Sequence, residues 1–163
     1  MLQQGDGTSH QSLLMRLRLM HGAQMSTLLL FSIIAFLARP VGNVDESLSE
    51  IFMYAMALLF AVSLTAAHFA FKKILHKAGS LSDIKSKMTR YTTACIVRSA
   101  LFEVPGLFAA VIVLVTGNIL ALAGSLVALL LLLFFRPSRQ QVVQDLNLTI
   151  QEMLMLESPK KNR

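Results

Sequence analysis

The chain has no tryptophan, one cysteine and four prolines, and only 15% of its 163 residues are Asp, Glu, Lys or Arg. Ordinary soluble domains carry about 25% charge. Scarce charge, 55% hydrophobic residues and a mean hydropathy of +0.62 point to a membrane protein. The lone Cys95 excludes an intramolecular disulfide and a cysteine-based metal site, and reads as a small packing residue. The formal net charge of +6 would fit an acidic partner, but aromatics are only 7% and are not interleaved with the basic residues, so no nucleic-acid surface is expected. The histidines, His10, His21, His68 and His76, are not at metal-ligand spacing, and there is no phosphate-cradling loop and no serine elbow. Without such a constellation no enzyme, catalytic residue, metal or cofactor is expected.

What is present is four apolar runs, at about 22–38, 51–71, 91–115 and 119–135. A spanning helix needs about 17–25 mainly apolar residues, and all four qualify. The first run lacks a small-x-small cleavage pair before Arg39-Pro40, so it is read as a retained helix rather than a signal peptide. Residues 1–12 are polar, and 13–20 (LLMRLRLM) suit a short helix in the headgroup layer with Arg16 and Arg18 snorkelling. The 39–50 connection is acidic, whereas 72–90 holds six Lys/Arg against one Asp, and the tail is basic again. Basic segments stay on the cytoplasmic side. The expected division is therefore a cytoplasmic N-terminus over 1–21, a four-helix transmembrane domain over 22–136, and a cytoplasmic tail over 137–163. The fold class is all-α, an antiparallel four-helix bundle in a bacterial inner membrane with both termini inside. After Pro137, Ser138 and Gln141 fit a capping box, and Val143, Leu146, Ile150, Met153 and Leu154 share one face, predicting an amphipathic cytoplasmic helix over 138–157.

Helices in lipid approach where small residues let their backbones meet. Ser99, Glu103, Gly106 and Ala110 follow i, i+4, i+7, i+11 on the third run, and Ala121, Gly124, Ser125 and Ala128 make a similar stripe on the fourth. The tight Thr116-Gly117-Asn118 connection makes these two helices antiparallel neighbours. On the second run Tyr54, Ala57, Ala61, Thr65 and His68 form a further small and polar stripe, also read as a packing face.

The stretch Arg98-Ser-Ala-Leu-Phe-Glu103-Val-Pro105-Gly places two charges inside the third run. Counted from Tyr91 at ~1.5 Å per residue, Arg98 lies roughly 10 Å deep and Glu103 roughly 18 Å. Arg98 is within snorkelling reach, and His68 shares its level. A glutamate at mid-bilayer needs partners in the bundle, and Ser125, Gly124 and Ser32 come to a similar depth. Pro105 frees the Leu101 carbonyl and favours a bend beside Glu103. Intramembrane charges are costly and often functional. Glu103, Arg98, Pro105, Ser125, His68 and Ser32 are therefore the candidate ion, proton or helix-packing site, with Ser99, Gly106, Ala121, Gly124 and Ala128 as the packing stripe.

The segment Ser99-Ala-Leu-Phe-Glu103-Val-Pro-Gly-Leu-Phe-Ala-Ala locally resembles the carboxylate helix of the proteolipid c subunit of rotary ATPases. That resemblance implies a ring and a proton- or sodium-carrying Glu103. It covers about a dozen residues, and the glycine-rich partner helix of that family has no counterpart here. The whole chain resembles small four-helix bacterial membrane proteins with a basic middle loop, an acidic residue in the third helix, a Gly-Asn hairpin and an Arg-Pro-Ser exit to a tail helix. The expected role is an accessory or structural subunit that associates with itself or a larger membrane complex. The alternative is a small oligomeric proton- or cation-coupled transporter or channel centred on Glu103.

Overall fold

The computed structural model describes residues 7–41, 46–79, 81, 83–146 and 148. Among these there are only helices: α1 (Gly7–Ala38), α2 (Glu46–Gly79), α3 (Ile84–Thr116), a 3-10 turn (Ile119–Ala121), α4 (Leu122–Phe134) and α5 (Arg139–Leu146). Three of them, α1 from Met15, α2 and α3, are long and apolar enough to cross a membrane; Ile119–Phe134 is a shorter apolar helix.

The helices run past the apolar segments because their ends are satisfied. Asp83 caps α3, accepting from the backbone N–H groups of Lys85 at 3.3 Å and Ser86 at 3.0 Å. The Ser86 hydroxyl donates to the same carboxylate, and these bonds hold Asp83 below the ordinary carboxylate range. Much of the basic 72–90 connection is thus helical, an extension of α2 and α3 around a short turn. Gly117 ends α3 with φ 72°, a left-handed conformation in which a Cβ is strained, and its N–H donates to the Val113 carbonyl at 2.9 Å. Asn118 then opens the next helix by accepting from Leu120 N–H, and its amide donates to Ser49 on α2 at 2.8 Å.

Side-chain pairs give the direction of each helix. Phe52 meets Phe108 and Phe71 meets Tyr91, so α2 is antiparallel to α3. Leu17 clusters with Tyr91 and Cys95, and Ala35 with Ala109 and Ala110, so α1 runs parallel to α3. His21 reaches Leu132 while Ala35 clusters with Ala121, so α1 and α4 are antiparallel. α3 packs against α1, α2 and α4, and half of its most apolar window is buried, against 22% for α1 and 17% for α2. It is the hub of the fold.

Close approach at the hub depends on two glycines. A Cβ on Gly106 would stand 2.5 Å from the Ala128 Cβ and about 3 Å from Leu28. One on Gly124 would stand 2.7 Å from the Met56 sulfur and 2.9 Å from the Ala109 Cβ. Ser99, Gly106, Ala110, Ala121, Gly124, Ser125 and Ala128 are all buried.

Three expectations need correction. Residues 13–20 are not a separate headgroup helix; they continue α1 without a break, because Leu17 is buried in the cluster beneath the bundle and His21 is anchored inside. The stripe Tyr54, Ala57, Ala61, Thr65 and His68 does not face the bundle: all five residues are exposed. α2 instead buries Ser49, Met56, Ser63 and Ala67, because Met56 and Phe60 fill the hollow that Gly124 leaves. At the tail, the described helix is α5 alone. Ser138 and Gln141 form the reciprocal capping box at 3.2 Å each way, and Val142 and Leu146 are buried against Leu17, Tyr91 and Cys95. The remainder of the expected 138–157 helix lies outside the described residues, apart from buried Leu148.

Candidate functional site

The last carbonyls of an α-helix have no partner within the helix. At the end of α4, Leu131 O accepts from Phe135 N–H and Leu133 O from Arg136 N–H. Two neighbouring side chains take others. His21 Nε2 donates to Leu132 O at 2.8 Å, and Arg98 Nη2 donates to Phe135 O at 3.4 Å. Basic side chains suit this end of a helix because its dipole is negative there. The Arg98 guanidinium also stacks on two rings, 4.0 Å from the Phe71 centroid and 4.9 Å from that of Phe135. Arg98 is therefore a capping and stacking residue, half-buried between α2, α3 and α4.

One turn deeper, α1 and α3 are joined by Gln24. The Ser99 hydroxyl donates to Gln24 Oε1 at 2.8 Å, with the Ile96 carbonyl a second acceptor at 3.1 Å. The Gln24 side chain also interacts with the Glu103 carboxyl. Ser99 and Glu103 are four residues apart on one face of α3, so both come near the Gln24 side chain. A cavity of about 10 Å³ lies just beneath, walled by His21, Gln24, Arg98, Ser99 and Cys95 among others. That is about the room one water needs.

The expected partners of Glu103 are elsewhere. Ser125 donates to Gly106 O at 2.8 Å, tying α4 to the backbone just after Pro105, and Ser32 donates to Leu28 O within its own helix. His68 is exposed on α2, its ring against Phe69, whereas Arg98 is engaged by Phe71 and Phe135. Gln24 and His21 were the residues missed. Both lie on a stripe of α1, Leu17, His21, Gln24, Leu28, Ser32 and Ala35, whose three- and four-residue helical spacing was readable in the sequence.

Below the cavity, α5 closes the end of the bundle. Asp145 interacts with Arg98 and with the Tyr91 hydroxyl; burial pushes its carboxyl above the ordinary range, and those two neighbours partly offset the rise. The Tyr91 hydroxyl is the buried side-chain polar atom without a partner in full hydrogen-bonding geometry among the described residues. At the opposite end, an open groove of about 710 Å³ runs between the start of α2 and the α3–α4 turn, with Glu46, Glu50 and Tyr54 on one wall and Ile119 and Leu120 on the other. Among the described residues no three His, Cys, Asp or Glu side chains group as metal ligands.

No protein family, curated protein or solved structure matches this chain.

Proposed function

We propose that the chain is a four-span protein of a bacterial inner membrane, with both termini cytoplasmic, that serves as an accessory subunit and assembles with itself or with a larger membrane complex. A belt of large exposed apolar residues supports the membrane setting: Leu29 to Leu37 on α1, Ile51 to Phe69 on α2, Val104 to Val115 on α3 and Ile119 to Phe134 around α4. The basic turn between α2 and α3 and the basic ends of α1 and α4 share one end of the bundle, which supports the orientation.

The assembly reading rests on the outer face of α2. Tyr54, Ala57, Ala61, Thr65 and His68 all point away from the bundle. Small and polar residues gain little from lipid but let a second helix approach closely. The open groove continues this face, since Tyr54 belongs to both. The test is native mass in mild detergent, with identification of co-eluting chains, for wild type and for Ala57→Leu/Ala61→Leu. An assembly well above the 18.0 kDa chain, reduced at least tenfold in abundance by the double substitution, is the expected result. A wild-type monomer, or an assembly indifferent to the substitutions, defeats the reading.

A second reading, coupling to an ion at Glu103, is favoured by one observation: the neighbour of its carboxyl is the neutral Gln24 side chain rather than a counter-charge. Metal cations such as Ca²⁺ take six or more oxygen ligands. One carboxyl, and an amide oxygen already occupied by Ser99, suit a proton instead.

A further inference from the structure

We propose that the uncovered side of α3 receives a transmembrane helix of a different protein, which brings a lysine or arginine to Glu103 at mid-bilayer. The inference rests on the accessory reading above and adds to it a second contact face and the chemistry of the partner.

The face follows from how the helices surround the hub. α4 packs with α1, and through Gly124 it also meets Met56 and Phe60 of α2. α1 and α2 each pack along α3 but barely meet one another. The side of α3 away from α4 is therefore left open between them. Thr93, Val104, Val111 and Val115 are exposed there, at helical spacing with half-buried Val97, Ala100 and Leu107. From Thr93 to Val115 the strip is about 33 Å long at ~1.5 Å per residue, the length of one spanning helix. Ala100 keeps part of it low, as close helix approach in lipid requires.

Glu103 borders this strip. It is half-buried, next in sequence to exposed Val104 and one turn from both Ala100 and Leu107. It is also the middle residue of the 91–115 apolar run. Hydrocarbon offers a carboxyl at that depth no partner, so lipid is a poor cover for the strip. Intramembrane acids pair with bases. Arg98 is already engaged: its guanidinium stacks on Phe71 and Phe135 and donates to Phe135 O. A second copy of the chain, inserted in the same orientation, has no base at the right height. Its His68 is one turn from Phe71, which meets Tyr91, and its His21 is one turn from Leu17, which clusters with Tyr91. Glu103 is about 18 Å from Tyr91 by helix rise, so both histidines stop about 12 Å or more short of it. The apolar stretches 22–38, 51–67 and 119–135 hold no Lys, Arg or His. The base that suits Glu103 therefore belongs to another protein.

The probe is a synthetic leucine–alanine helix of about 21 residues with one lysine at its centre and an acceptor dye. Energy transfer from a donor dye on the N-terminus of the full chain is followed in liposomes. Two control peptides carry leucine at the centre, or the lysine moved two turns, about 11 Å, towards one end. Wild type is expected to bind the central-lysine peptide at least about tenfold more tightly than either control. Glu103→Gln, which keeps the shape and removes the charge, is expected to bring that peptide within about threefold of the leucine control. Val104→Trp, which fills the strip, is expected to remove the preference as well. Equal binding of the three peptides to wild type overturns the pairing without recourse to any variant. A lysine preference that survives Glu103→Gln or Val104→Trp overturns the site. Self-association of the full chain that Glu103→Gln abolishes puts a second copy on the face and overturns the foreign partner. The accessory reading is decided separately, by the native mass of the wild type: a chain that assembles there yet ignores the central lysine loses this inference alone. Helix content identifies a misfolded variant, and the three-peptide comparison on wild type then decides.

Discussion

Single residues divide sharply by what surrounds them. Gly106 and Gly22 are both helical glycines, yet a Cβ at Gly106 meets Ala128 and Leu28, and at Gly22 meets nothing within 4 Å. Gly106→Ala is expected to destabilise the bundle by about 1–3 kcal/mol through overpacking. Gly22→Ala is expected to stabilise it by about 0.5–1 kcal/mol, because alanine loses less backbone freedom in a helix. Thermal unfolding in detergent, run on both, checks the sign of each. The packing glycines were visible in the sequence because small residues recur on one face. The partner of Glu103 was not: depth counting brought Ser32 and Ser125 level with the carboxyl but carried no information about azimuth. Azimuth was carried instead by the helical stripe on α1 that holds Gln24, which depth counting does not use.

At the level of the element, α5 shows how a short helix is held. Its capping box and the burial of Val142 and Leu146 fix it beneath the bundle, but Asp145 is brought along into a partly buried position. A carboxyl whose docked value is raised binds more protons docked than free. Docking is therefore strongest at low pH, and weakens as pH rises from the free-aspartate value through the docked one. Protease cleavage of the tail is expected to slow as pH falls from 7 towards 4 in wild type, and to lose most of that dependence in Asp145→Asn. Equal pH dependence in the two chains would remove Asp145 from the account. The α2 stripe failed as a packing face for a related reason. Small residues mark close approach, but they do not say whether small meets small; here Gly124 receives the large side chains Met56 and Phe60.

For the whole molecule, all-helical architecture and the long apolar helices were legible from run length and periodicity. The arrangement was less so: the sequence implies a bundle, whereas α3 is a hub with α1, α2 and α4 around it. The hub explains why the charged and polar residues concentrate on α3, since half of its apolar window is shielded by protein and the other long helices are mostly outward. The proposed orientation has its own check. Reporter fusions at the N-terminus, the C-terminus and the 80–83 turn are expected to read cytoplasmic, and a fusion near Asn118 is expected to read external. A cytoplasmic signal at Asn118 would overturn the four-span topology.

The connection between α1 and the rest has a consequence for biogenesis. α1 leaves the ribosome first, but its polar anchors are far downstream: Gln24 bonds Ser99, 75 residues later, and His21 bonds Leu132, 111 residues later. At synthesis rates of ~5–20 residues per second, His21 waits roughly 6–22 s for its carbonyl. Through that interval a newly inserted α1 carries an imidazole and an amide that lipid does not satisfy. α2, α3 and α4, joined by short turns, assemble locally in the meantime. The first helix made is thus the last to dock, and the nascent chain depends on water, headgroups or the insertion machinery to shelter two side chains until the hub arrives.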